Sequence, residues 1–338
     1  MDRMIDWEIE RIINFDFESG DLCKDGFVHF GFHDKEGKQY AVEHQKHFVG
    51  LVDDNYKLKW TAANRTMFDG VPNILAELKY PMYIDSMHEG TLVISNFGNN
   101  RLYRIDTRRM EASLFVDGSA LGMKGAGNCV VDEEECVWVN EVEGCRIWRF
   151  DSTGKPVLKL GDGAPGFQSH VADFDEVRFN WIYDIRKGPD GNIYVLDSKN
   201  FAVRMIEIRS RRVCTLAGTG KGGYEGDGGD ARFATFGSSP NEHFDGPISL
   251  SLDEEGNIYV GDRYNHTVRM IHGKTGIIRT IAGDRQSTDE QKNNPNESNP
   301  LKLNLPKISS MDYHNGRLFI PTDITEHSGD LVVLRKSH

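Results

Sequence analysis

Residues 253–271, Asp-Glu-Glu-Gly-Asn-Ile-Tyr-Val-Gly-Asp-Arg-Tyr-Asn-His-Thr-Val-Arg-Met-Ile, contain a motif that the chain repeats, and this repetition limits the fold more than any other feature. Gly256 and Asn257 suit a tight turn that needs positive φ. Ile258, Tyr259 and Val260 suit a pleated, half-buried strand. Asp262 to Asn265 form a polar turn, and Val268 begins a second apolar run. One hairpin cannot bury its own face. The same pattern returns at residues 188–206, with Gly191, Asp197, Asn200 and Arg204 in the places of Gly256, Asp262, Asn265 and Arg269. Residues 90–105 and 135–150 fit it well, and residues 316–334 and 37–52 fit it more loosely. These are six units about 45 to 65 residues apart, close to the periods of propellers and solenoids.

Each unit carries two further strands. An alternating strand precedes the turn glycine, as at residues 81–86, 128–132, 181–186, 247–253, 306–312 and 27–32. A fourth strand ending in glycine follows the third, most clearly at residues 215–218 and 280–283. Four short strands per repeat and six repeats predict an all-β fold, a six-bladed β-propeller of four-stranded antiparallel blades. The last unit stops after its third strand, whereas residues 9–15 read like a fourth strand. The N-terminal strand is therefore expected to fill the outer place of the C-terminal blade and so protect the ring's seam. The expected boundaries are a closing strand at about 9–15 and blades at about 26–60, 80–117, 126–161, 180–218, 245–283 and 305–336, all one domain.

The units resemble NHL repeats of the bacterial type, whose pattern is Pro, an alternating strand, Gly-Asn-Ile-Tyr-Val-x-Asp, a polar loop with Asn, then Val/Ile-Arg. The glycine-rich stretch from Gly218 through Gly226-Asp227-Gly228-Gly229-Asp230 is similar to a connection found in such proteins. The resemblance implies an exported or cell-surface protein of the kind found in glycan-uptake systems, with a cytoplasmic location left open. It also implies alternatives, because six-bladed relatives include amidating lyases, strictosidine-synthase-like proteins and calcium-dependent lactonases and esterases. Fold alone decides little here, since many unrelated activities sit on propellers.

Composition narrows the partners. The formal net charge is −12, and the densest basic cluster, Arg209 to Arg212, reads as a solvated turn, so no nucleic-acid partner is expected. Residues 1–10 carry several acids and no apolar core, so they are not expected to be a signal peptide, which leaves a protein that stays inside the cell or a processed or trimmed form, and no stretch approaches the roughly 18 apolar residues of a membrane span. The five cysteines leave at least one thiol unpaired, and none has zinc-site spacing. Cys136 and Cys145 are expected on neighbouring strands, where they could come close. His29 and His33 share a strand face about 13 Å apart, too far to share a metal. No metal site is expected. Asp227 and Asp230 leave calcium open as a cofactor, although their spacing lacks the alternating ligands of a calcium loop.

In a propeller the connections between blades emerge on the same face as the loops between second and third strands, and function gathers on such loops. Within those loops the polar position Asn96, Glu141, Asp197 and Asp262 recurs, which argues that it holds the loop through bonds to backbone. The tips differ between blades and are the better ligand candidates. These are His44 and His47 in blade I, Phe97 in blade II, and Arg263 and Tyr264 in blade V. Phe167, Trp181 and Phe201 are added as aromatics suited to stacking on sugar rings. The long connections include a possible helical turn at residues 74–78 and a stretch at 161–178 with His170 between Phe167 and Phe174. No catalytic constellation can be identified. The reading is a monomeric, non-catalytic binder of a glycan or peptide. A lyase, a metal-dependent hydrolase and a protein-interaction scaffold are the alternatives.

Overall fold

In the computed structural model, residues 7–16, 28–34, 36–55, 57–88, 90–168, 171–237, 246–287, 293–325 and 328–337 are described. Cys23, Phe27 and His170, and the side chain of His29, lie outside that set. Six antiparallel sheets form the blades of a propeller. Blade I holds β2 (Val28–His33), β3 (Gln39–Glu43), β4 (Phe48–Val52) and β5 (Leu58–Ala63). A further strand, β6 (Asn73–Leu75), joins β5 in parallel. Residues 74–78, read from sequence as a helical turn, thus begin as a strand. Ile74 buries against the core while Leu75 turns outward, an alternation that suits a strand.

Blade II holds β7 (Pro81–Ser86), β8 (Thr91–Asn96), β9 (Arg101–Asp106) and β10 (Glu111–Asp117). Blade III holds β11 (Ala126–Val131), β12 (Val137–Glu141), β13 (Arg146–Phe150) and β14 (Pro156–Leu160). In blade IV, β15 (Val171–Asp173) adds an outer strand beyond β16 (Ile182–Lys187), β17 (Ile193–Asp197), β18 (Ala202–Glu207) and β19 (Arg212–Ala217). Blade V holds β20 (Ser249–Leu252), β21 (Ile258–Asp262), β22 (Thr267–Ile271) and β23 (Ile278–Ala282). Blade VI is β24 (Asp312–His314), β25 (Arg317–Thr325) and β26 (Ser328–Lys336), with β1 (Trp7–Asp16) outermost. The strand from the chain's beginning thus completes the sheet at its end, with Ile12 opposite Val332 and Ile13 opposite Leu331.

The apolar faces of neighbouring blades meet in successive wedges. Val130, Ile147, Ile185 and Val195 fill the wedge between blades III and IV, and Leu250, Val260, Leu196 and Phe236 that between IV and V. Ala41, Val52, Phe319, Leu331 and Val333 close the seam between blades VI and I. Each blade buries these apolar faces against its neighbours, as in repeat folds generally.

The recurring residues are explained by geometry. Gly218 and Gly283 end the fourth strands of blades IV and V at φ +96 and +95, and an added Cβ would lie 2.1 Å from the carbonyl oxygen of Phe201 or His266. No side chain fits there. A carboxylate after the first strand is a second fixture. Asp132 accepts from the Trp138 indole at 2.8 Å, and Asp253 from the Tyr259 hydroxyl at 2.7 Å. The same two aspartates receive backbone N–H groups of the following turn from Cys136 and Asn257. Cys136 and Cys145 do not approach each other. They precede β12 and β13 respectively, and the antiparallel register places the starts of those strands at opposite ends of the blade. Cys129, Cys136, Cys145 and Cys214 are all free thiols.

Candidate functional site

A cup of about 250 Å³ opens at the mouth of the central channel, lined by residues from all six blades. It lies on the face where the loops between second and third strands emerge. His44 and Gln45 come from that loop in blade I, and Arg263 and Tyr264 from the same loop in blade V. The other lining residues, Met82, Asn128, Tyr183, Ile248, Ser309 and Ser310, lie at or just before the beginnings of the innermost strands.

Three of these inner strands bulge where they line the cup. The ladder of β7 shifts between Pro81 and Tyr83, that of β11 between Ala126 and Cys129, and that of β16 between Ile182 and Asp184. Met82, Asn128 and Tyr183 fall within those shifts. A bulge inserts an unpaired residue and re-aims its side chain, so the same device supplies wall residues from three consecutive blades. Strict two-residue alternation in the sequence could not reveal them. The visible signal was only their place near the start of the innermost strand.

Next to Asn128 a set of polar groups spans the axis. Asn128 Nδ2 donates to Asp184 Oδ1 at 2.5 Å, and the Leu250 N–H donates to Asp184 Oδ2 at 2.8 Å. Arg186 lies 2.8 Å from the same carboxylate and donates to the carbonyls of Leu250 (2.8 Å) and Met311 (3.3 Å) and to Ser310 Oγ (3.3 Å). Its guanidinium also lies over the Tyr83 ring at 4.3 Å. The floor therefore ties blades II to VI together across the axis. Burial pushes Asp184 up to about 6, although Arg186, the Leu250 N–H and Asn128 all pull it down.

The sequence candidates divide. His44, Arg263 and Tyr264 line the cup. The His44 ring Nδ1–H donates to the Pro81 carbonyl at 3.1 Å, which leaves Nε2 as an acceptor, and burial lowers the pKa so that the ring is neutral at pH 7. Its ring lies 5.0 Å from that of Tyr80. His47 does not line the cup. Its Nδ1 sits 3.0 Å from the His44 carbonyl and 3.1 Å from the Tyr80 N–H, so it props the loop that carries His44. Phe97 packs over Gly125, where an added Cβ would meet the ring at 2.7 Å.

Trp181 occupies a fixed backbone position. It has φ +57, as Tyr80 has +50 at the same point of blade II, and their carbonyls accept from Ser198 and Phe97. The Lys199 ammonium lies 4.7 Å from the Trp181 ring. Phe167 lies under Arg204, well outside the cup. Phe201 is 3% exposed and belongs to the core between blades IV and V.

The recurring polar position works as a clasp. Asn96 accepts from the Lys79 N–H (3.2 Å), Glu141 from Lys124 (2.9 Å), Asp197 from Asn180 (2.7 Å) and Asp262 from Gly237 (2.9 Å). Each therefore holds the chain that enters its own blade. Asp227, weighed above for calcium, is committed elsewhere. Its Oδ1 accepts from Arg269 Nη2 at 2.7 Å and its Oδ2 from the Thr280 hydroxyl at 2.6 Å. Partial burial raises its pKa, but the bonds from Thr280 and Arg269 outweigh that and hold it below the usual carboxylate value.

A folded-state pKa below the unfolded value of about 3.9 stabilises the fold above that value, and the stabilisation is lost as pH falls through the folded pKa. Accordingly, the stability gap between the wild type and Asp227→Asn, measured by urea unfolding, should stay constant from pH 8 to about pH 5 and shrink below about pH 4. A gap unchanged at pH 3 would contradict this assignment.

Among the described residues, no group of three or more His, Cys, Asp or Glu side chains is placed to hold a metal ion, and no helix is long and apolar enough to cross a membrane. Residues 244–269 match the family model for the NHL repeat. The chain is 33% identical over 139 residues to Protein SUPPRESSOR OF QUENCHING 1, chloroplastic, of Arabidopsis thaliana, a match covering 39% of this chain and 12% of that protein. It is 26% identical over 117 residues to NHL repeat-containing protein 2 of Gallus gallus, covering 34% of this chain and 15% of that one. The matched region thus spans only a small part of both relatives. Among solved structures, an auxiliary nutrient binding protein from Bacteroides thetaiotaomicron superposes with a TM-score of 0.63 at 15% identity, covering 98% of this chain and 77% of its own. Selenomethionine-substituted virginiamycin B lyase from Staphylococcus aureus superposes at 0.54 and 12% identity, covering 96% of this chain and 99% of its own. At these identities the structures share the fold.

Proposed function

We propose that this chain, a six-bladed propeller built from NHL repeats, is a non-catalytic binding protein that holds a carbohydrate in the cup at the channel mouth. One observation carries the reading. The cup combines ring faces and uncharged hydrogen-bonding groups, namely His44, Tyr183, Tyr264, Gln45, Asn128, Ser309 and Ser310, with a single arginine at its rim. Rings and fixed neutral donors and acceptors suit a polyhydroxylated ligand, which offers apolar C–H faces between hydroxyls. The volume lies just below the roughly 300–1,000 Å³ typical of small-ligand sites. That favours a terminal sugar unit over a long buried chain.

The nutrient-binding neighbours in Bacteroides support the same reading, as does the exported or cell-surface setting that the repeats imply. The enzymatic alternative gains little from the carboxylate nearest the cup. Both oxygens of Asp184 are engaged by Asn128, Arg186 and Leu250, so it is poorly placed to abstract a proton.

The test is a glycan array followed by calorimetry on the best binder, with His44→Ala and Tyr264→Ala alongside the wild type. Each substitution should weaken binding by about tenfold or more, as expected when a buried ring contact worth about 1.5 kcal/mol is lost. Melting temperatures should hold within a few degrees. An array with no binders, or a binder indifferent to both substitutions, would sink the proposal.

A further inference from the structure

Two polar groups in the wall of the cup have their orientation fixed by the protein, and each leaves a lone pair without a partner. The first is His44 of blade I. Its Nδ1 lies 3.1 Å from the Pro81 carbonyl, which can only accept, so Nδ1 carries the ring hydrogen. Burial lowers the pKa of the ring, and the neighbouring His47 adds to this against the raising effect of the Pro81 bond, which leaves Nε2 bare at pH 7.

The second is Asn128 of blade III, which is 5% exposed. Its Nδ2 donates to Asp184 Oδ1 at 2.5 Å. That carboxylate also takes the Leu250 N–H and lies 2.8 Å from Arg186, so it acts as an acceptor and the Asn128 amide cannot turn over. Both residues line the cup. Among the described residues, no hydrogen bond reaches His44 Nε2 or Asn128 Oδ1, and neither atom is sealed from the cup. The phenols of Tyr183 and Tyr264, also in the wall, can donate or accept and impose no polarity of their own.

We infer that the cup recognises a single hexopyranose unit through two hydroxyl hydrogens that the sugar donates, one to His44 Nε2 and one to Asn128 Oδ1. The inference rests on the carbohydrate reading and adds to it the direction of the hydrogen bonds. A ligand group that displaces water from a fixed acceptor without supplying a hydrogen loses affinity, and the loss is largest where the acceptor is buried, as Asn128 is. The cup therefore rejects units whose hydroxyls at these two places are removed, methylated or replaced by fluorine.

The experiment measures binding of the methyl pyranosides of glucose, galactose, mannose and N-acetylglucosamine, each with its monodeoxy and monodeoxyfluoro analogues, by calorimetry or NMR titration. Fluorine fills the place of a hydroxyl but cannot donate. For a parent that binds, two hydroxyl positions should each lose about tenfold or more with either replacement. His44→Phe keeps a ring but removes Nε2, and should shrink the loss at one of those positions to within about twofold. The wild-type series stands by itself if that variant does not fold. Fluoro analogues that bind like their parent at every position would overturn the inference, since the protein would then be the donor, and would leave the carbohydrate reading standing. So would losses that persist unchanged in a folded His44→Phe protein. Failure of all four parents to bind would also overturn it, whereas the carbohydrate reading falls only with a blank glycan array.

Discussion

Removal of residues 1–16 lowers the melting temperature of the ring by about 10 °C or more. The strand β1 pairs with β26 along its length, from Trp7 opposite Lys336 to Asp16 opposite Ser328. Its loss would leave β26 as a long apolar edge. The energetic loss lies mainly in side chains. Trp7 packs edge-on against Tyr259 at 5.5 Å, within the core shared by blades V and VI. Ile9 and Ile12 pack on that same core, and Ile13 packs on the VI–I seam.

Burying an aliphatic or aromatic side chain is worth about 1.5–3 kcal/mol, so the partly buried set represents roughly 5 kcal/mol before chain entropy is subtracted. Each kcal/mol moves the melt by about 2–4 °C in a large domain. The ion pairs Glu10–Arg317 (2.7 Å) and Glu8–Arg335 (3.1 Å) are exposed and add little. Differential scanning calorimetry of the truncated chain decides the matter, and an unchanged transition would mean that the seam is closed by something else.

The second large effect concerns the floor of the cup. Asp184→Ala should destabilise the protein by roughly 3–5 kcal/mol, because it leaves the Arg186 charge buried without its carboxylate. Arg186 donates at the axis to Leu250, Met311 and Ser310, none of which is charged, and of the carboxylates that act on it, Asp184, Asp312 and Asp85, Asp184 acts most strongly. The double variant Asp184→Ala/Arg186→Met should recover most of the loss, since replacing both partners by apolar groups removes the uncompensated charge. Urea unfolding of the wild type, single and double variants measures this. A single variant within about 1 kcal/mol of wild type, or a double variant no more stable than the single, would contradict the role given to the pair.

The propeller was legible because its local rules repeat. Gly256, Tyr259, Asp262 and Arg269 stand in the same order as Gly191, Tyr194, Asp197 and Arg204, and the tyrosines and aspartates do the same work in both blades, whereas Arg204 pairs with Asp197 and Arg269 with Asp227. Even ring closure could be read, because the apolar pattern of β1 matched a fourth strand while the last repeat lacked one. The site was only partly legible. His44, Arg263 and Tyr264 stood out as loop tips that do not recur, and they line the cup. Met82, Asn128 and Tyr183 were hidden because bulges set them off the alternation that identifies a strand's faces.

Phe201 misled for the opposite reason. Composition offers an aromatic beside a polar loop, but the left-handed turn at φ +48 directs it into the core between blades. Trp181 does not line the cup; it stands at a left-handed backbone position, with Lys199 4.7 Å from its ring. The extra strands β6 and β15 are made by connections whose sequences show no strand period of useful length.

The central claim is that recognition happens in the cup over Asn128 and not elsewhere on the rim. The most direct measurement is a crystal structure of the protein with the tightest-binding glycan from the array. The account predicts a terminal sugar unit in the cup, contacting His44, Tyr264 and Asn128, with the floor around Asp184 and Arg186 unmoved. A glycan bound between blades or on the opposite face, with the cup unoccupied, would contradict it.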